Sequence, residues 1–153
     1  MASWSEVEAE APELVALARN YLDLNKHKVL ATLRRDGSPR VSGTEIQISD
    51  GELWLGSMPD ALKARDLQRD PRFALHGAPV DPDAGWTGDA KLSGLAEEVT
   101  DSERRTAVLG GRHSEAHLFR ADIRELSVVR VEGELLKIEA WHAGRGVSRR
   151  ERR

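Results

Sequence analysis

Two Asp-Gly pairs, Asp36-Gly37 and Asp50-Gly51, cut residues 29–55 into three extended pieces, and few folds accommodate that arrangement. Val29, Ala31 and Leu33 alternate with Leu30 and Thr32, the period of a strand whose two faces see different surroundings. Gly accepts the positive φ of a tight turn and Asp hydrogen-bonds the neighbouring backbone, so each pair predicts a hairpin. The pattern predicts strands over 29–33, over 40–48 with Ile46 and Ile48 on one face, and over 53–55. Such a meander has to close on itself or be covered to hide its edges.

After Leu55 the period changes. Ser57-Met58-Pro59-Asp60 supplies capping oxygens and a proline, and Ala61, Leu62, Lys63 and Ala64 are helix formers. The helix is expected to run to about Arg69, because Pro71 disfavours helical geometry at Asp70. A helix start with Lys63 and Arg65 nearby suits a phosphate. From the spacing alone, the wet face of a short amphipathic helix bearing Lys63, Arg65, Gln68 and Arg69 is the favoured reading.

Upstream, Ser5 and Glu8 have the spacing of a capping box, and Leu14, Leu17, Ala18 and Tyr21 form an apolar stripe beyond Pro12. This predicts a helical segment over 1–26 that packs on the strands. Downstream, a strand is expected over 72–77 and a loop over 78–88, with Trp86 anchoring its own loop. A strand over 90–99 changes parity between Leu92 and Leu95, which predicts a bulge at Gly94. Thr100 or Asp101 caps a helix that Gly110-Gly111 ends. Residues 119–131 and 134–142 form a last hairpin, and 143–153 read as a basic tail without fixed structure.

A chain of 153 residues suits one domain, and a net charge of -3 directs it to no nucleic acid. It has no cysteine, which excludes disulfides and thiolate chemistry. No apolar run has the length of a membrane span and the first residues are acidic, so a cytoplasmic protein is expected. His113 and His117 share a spacing that two metal ligands use, but no further ligand accompanies them, and no metal site is expected. Nor is there a Ser-His-Asp set or a carboxylate pair to mark a catalytic residue.

The ordered phrases D-G-S-P-R-V, D-G-x-L-W-L-G-S, K-A-R-D-L and D-P-R-F-A-L resemble those of the split-barrel flavoproteins of the pyridoxamine 5'-phosphate oxidase-like superfamily. Within it, they are most similar to the actinobacterial branch that includes deazaflavin-dependent reductases. The resemblance implies a mainly β fold with peripheral helices, a split β-barrel of about six or seven antiparallel strands over 27–142. It also implies a homodimer with a flavin between subunits, acting on a small molecule as an oxidoreductase.

The implied contacts follow the matching positions. Arg40 and Val41 lie along the cofactor, Ser42, Gly43 and Thr44 run beneath its ring, and Ser57 and Lys63 reach its phosphate. The region of Trp141 and Arg145 covers the far end. Where the superfamily pairs an arginine with that lysine, this chain has Leu62, which supplies neither charge nor a bidentate fork. Three outcomes are compatible with Leu62. The cofactor is FMN, or the deazaflavin coenzyme F-420 with Lys63, Arg40 and Arg65 forming a basic groove, or the site has become that of a non-catalytic dimeric flavin or tetrapyrrole carrier.

Overall fold

The computed structural model describes residues 1–113 and 115–153. Two short helices open the chain, α1 (Trp4–Glu10) and α2 (Pro12–Leu22). The capping box is formed by Ser3 and Glu6 rather than by Ser5 and Glu8: Ser3 Oγ accepts from the Glu6 N–H and Glu6 Oε2 accepts from the Ser3 N–H. The earlier start lets Trp4 and Val7 bury against the barrel with Leu14, Val15, Ala18 and Leu22 of α2. Each such side chain removed from water contributes about 1.5–3 kcal/mol.

Strands β1 (Lys28–Leu33) and β2 (Pro39–Thr44) form the first hairpin around Asp36-Gly37, where Gly37 has φ 86°. The strand expected over 40–48 is two strands. β2 ends at Thr44, and β3 (Ile46–Ser49) leaves the corner at Glu45 to pair with β4 (Glu52–Ser57) around Asp50-Gly51. Helix α3 (Leu62–Arg69) follows, then β5 (Arg72–Gly77), β6 (Gly88–Glu98), helix α4 (Ser102–Leu109), β7 (His117–Glu132), β8 (Leu135–His142) and β9 (Gly146–Arg152). Asp101 caps α4 by accepting from the Glu103 N–H.

The antiparallel sheet runs in the order β2-β1-β5-β6-β7-β4-β3, with β8 and β9 added beyond the second half of β7. Its two path ends, β2 and β3, are consecutive in the chain. The sheet therefore curls into a barrel whose seam lies at the Glu45 corner.

Among the described residues the strands number nine instead of six or seven, from two sources: the split at Glu45 and the C-terminal segment. The latter is not an unstructured tail. Gly144 and Gly146, both at positive φ, turn the chain back after His142, and β9 pairs with β8 from Gly146 to Arg152. Arg149 lies opposite Glu139, with its Nε 3.5 Å from Glu139 Oε2.

The predicted bulge lies between Ser93 and Gly94. A Cβ at Gly94 would come 1.9 Å from the Asp122 carbonyl oxygen, so only glycine lets β6 approach β7 there. Trp86 anchors its loop by donating to Asp89 Oδ1 at 3.0 Å.

Candidate functional site

A cavity of about 590 Å³ opens at the barrel seam, within the size range of small-molecule sites. Gly43 and Thr44 from the end of β2, Ile46 and Gln47 from β3 and Trp54 and Ser57 from β4 line it. Met58 and Pro59 from the following loop, Lys63 from α3 and Leu109 from α4 add to it, and His27, Glu45 and His113 also stand on its wall. Most of this lining is apolar, as a planar organic ligand requires.

Helix α3 begins differently from the expected pattern. Ser57 still belongs to β4, opposite His117, and the chain turns at Asp60, which has φ 59°. The Asp60 carboxylate bonds Arg65 instead of capping the helix. Ala61 is the cap residue and gives no side-chain hydrogen bond, so the first N–H groups of α3 have no side-chain acceptor.

Two residues into the cavity side of this start, Lys63 is half-buried and its Nζ donates to the Gly43 carbonyl oxygen at 2.9 Å. Burial pushes its ammonium below the usual lysine range, while the Glu45 carboxylate pulls the other way. Among the described residues no carboxylate stands within ion-pair distance of it. A desolvated cation on a cavity wall without an anionic partner suits an anionic group of a ligand.

One turn on from Lys63, α3 is closed against the barrel. Asp66 is 2% exposed and accepts from Arg40 Nε at 2.6 Å, Thr32 Oγ1 at 2.8 Å and Arg69 Nη2 at 3.0 Å. Burial alone pushes its carboxyl up, but the hydrogen bonds from Arg40, Thr32 and Arg69 outweigh this and hold it below the usual range. The network ties α3 to β1 and β2 and thereby fixes where Lys63 stands.

The residues expected to touch a cofactor thus divide. Gly43, Thr44, Ser57 and Lys63 meet at the cavity. Arg40 points inward to Asp66. Val41 is 70% exposed on the outer barrel face, opposite Ala31, and Ser42 is paired with Leu30. Ser57 Oγ makes one 3.3 Å hydrogen bond, to the Met58 carbonyl oxygen.

Trp141 is buried and donates to Glu10 Oε2 at 2.6 Å, so it supports α1 and lies off the cavity; Arg145 is exposed in the β8–β9 turn. Among the described residues no cluster of three or more metal-ligating side chains occurs. Sequence reasoning missed Asp66. It stands in the K-A-R-D-L phrase and three residues before Arg69, but a surface pair would show the same spacing.

No helix is long and apolar enough to cross a membrane, among the described residues. The fold is similar to that of PhzG from Burkholderia lata, solved with tetrahydrophenazine-1-carboxylic acid, at 12% identity over 99% of this chain and 98% of that one, with a TM-score of 0.72. It is also similar to a protein of unknown function from Agrobacterium tumefaciens, at 23% identity over 83% of this chain and a TM-score of 0.62. This chain spans only 59% of the length of that protein. The heme storage protein HutZ from Vibrio cholerae matches at 20% identity over 75% of this chain and 90% of its own, with a TM-score of 0.57. At these identities the likeness is one of fold. The family model described as pyridoxamine 5'-phosphate oxidase, however, matches residues 17–141, from α2 through the barrel to Trp141, and the chain belongs to that family.

Proposed function

We propose that this protein binds FMN in the seam cavity, with the phosphate at Lys63, and acts as a flavin-dependent oxidoreductase on a small molecule. The carrying observation is Lys63 itself: a half-buried cation on the wall of an apolar cavity, held by one carbonyl and beside an uncapped helix start. A phosphate would satisfy both at once.

A bound flavin supplies hydride or electron transfer; the chain supplies binding, orientation and exclusion of water. Lys63 holds the phosphate charge, and Ser57, whose hydroxyl makes one 3.3 Å bond among the described residues, donates to the same group. Trp54, Ile46 and Met58 give the ring system apolar walls.

FMN is favoured over the deazaflavin coenzyme because the wider basic groove is not assembled. Arg40 is committed to Asp66 and Arg65 to Asp60, which leaves Lys63 as the basic residue lining the cavity among those three. The protein is proposed to work as a homodimer. Val41 is exposed beside a groove of about 290 Å³ formed by Val29, Ala31, Ala74 and neighbours, an apolar outer face that a second copy would cover.

Leu62 favours a second reading. It is 62% exposed where the superfamily has an arginine, as expected of a site that retains a ligand weakly or has changed its use. That reading is a non-catalytic carrier of flavin or tetrapyrrole, a role compatible with the fold shared with HutZ.

Titration of the protein with FMN and, separately, with the deazaflavin coenzyme, followed by quenching of ligand fluorescence, tests the proposal. Saturable binding of FMN at micromolar concentration or tighter is the expected result. Binding of the deazaflavin coenzyme alone would replace FMN in the proposal. Binding of neither would overturn it, and a Soret band on addition of haem would then establish the carrier.

A further inference from the structure

The loop that frames the seam cavity, residues 58–61, is held from outside by one histidine. His117 opens β7 opposite Ser57, with its side chain 16% exposed. Its Nδ1 lies 3.1 Å from Glu98 Oε1 and its Nε2 lies 3.3 Å from the Asp60 amide nitrogen. An amide N–H only donates, so Nε2 must carry its lone pair there. The proton of the neutral ring therefore sits on Nδ1 and is donated to Glu98. Glu98 is fixed in turn by Gln68 Nε2, 3.1 Å from each carboxylate oxygen.

We propose that neutral His117 holds the 58–61 loop through the Asp60 amide and releases it on protonation, so that acid loosens the rim of the seam cavity. A proton on Nε2 would face the Asp60 N–H, donor against donor. Glu98 attracts the imidazolium and keeps the ring docked on β6, so the element that gives way is the loop. Asp60 already holds a left-handed backbone, φ 59°, which the ring contact helps to maintain.

Among the described residues, the charged groups bonded to the ring or to its partners are Glu98 from β6, the Asp60 carboxylate from the loop and Arg65 from α3, bonded to Asp60. Gln68 is neutral, and Phe119 on the same strand offers its ring at 6.5 Å. Met58 and Pro59 of the loop line the cavity beside Lys63, so a loosened loop alters the wall around the proposed phosphate seat while α3 stays anchored through Asp66. The consequence for a ligand rests on the cavity reading above; the coupling of ring to loop does not.

The test is a pH titration of the ligand-free, ¹⁵N-labelled full chain by NMR, reading the His117 ring nitrogens and the Asp60 amide between about pH 5 and pH 8. The expected result is the Nδ1–H tautomer at the alkaline end and an Asp60 amide shift with the same midpoint as the ring. In His117→Gln, whose amide oxygen replaces Nε2 as an uncharged acceptor, the Asp60 amide should stay flat. An Nε2–H tautomer, or an Asp60 amide that ignores the ring, would overturn the inference.

FMN titrations at the two ends of the range read the consequence. Affinity of the native protein relative to His117→Gln should fall about fivefold to tenfold in acid, the scale of one lost hydrogen bond, with the phosphate's own ionisation cancelling in the ratio. The ring and amide readings decide the inference even if FMN does not bind, which would count only against the cofactor.

Discussion

Asp66 and Lys63 stand one turn apart on α3 and carry opposite charges, yet the protein completes one and leaves the other open. Asp66 receives three donors from β1, β2 and α3 in a nearly water-free setting. Lys63, on a cavity wall, receives a single carbonyl. A closed network of this kind builds the scaffold, and a desolvated charge without a counter-ion costs stability that a ligand can restore. Burial lowers the proton affinity of Lys63, whereas the donors around Asp66 overcome burial and keep its carboxylate ionised.

Substitutions that break each side should separate fold from binding. Asp66→Ala leaves Arg40 and the Thr32 hydroxyl without their acceptor, and it is expected to lower the unfolding free energy by about 3 kcal/mol in urea denaturation. The same network gives an acid dependence. The folded carboxyl is held below its unfolded value, so its stabilisation is complete above about pH 4 and is lost as pH falls through the lowered folded value. In Asp66→Ala that part of the acid dependence should vanish, as thermal melts across the acid range would show.

Arg40→Ala is expected to cost about 2 kcal/mol of stability with FMN affinity nearly unchanged, if the side chain serves Asp66 and not the ligand. A large loss of affinity in a stable variant would return Arg40 to the cofactor site. Lys63→Ala should do the reverse, weakening FMN by about 1–3 kcal/mol while the urea midpoint does not fall. The smallest change is Leu62→Arg. On an exposed position it should shift stability by no more than about 0.5 kcal/mol and tighten FMN measurably, with unchanged affinity meaning that residue 62 points away from the phosphate.

Local chemistry made much of the barrel legible. The Asp-Gly turns, the limits of β5, the bulge at Gly94 and the glycine that ends α4 follow from φ preferences and alternation, which neighbouring residues decide among themselves. The corner at Glu45 was not legible, because nothing in Thr44-Glu45-Ile46 breaks a strand. The chain turns there because β2 pairs with β1 and β3 with β4, a decision made by distant partners.

The β9 strand was hidden for a similar reason. Five arginines among the last nine residues suggest a solvated tail, yet an edge strand exposes most of its side chains while its backbone pairs with β8. In the site, Gly43, Thr44, Ser57 and Lys63, which the motif order singles out, line the cavity. That order did not reveal that Arg40 faces Asp66, since strand parity is fixed by register and the acceptor lies 26 residues on.

The central claim, that Lys63 seats a phosphate in the seam cavity, is tested most directly by titrating the native protein and Lys63→Ala with FMN and with riboflavin, which lacks the phosphate. The account predicts FMN affinity about 5- to 150-fold weaker in the variant, the equivalent of one charged hydrogen bond, and riboflavin affinity unchanged. Equal losses for the two ligands, or no loss of FMN affinity at all, would contradict it.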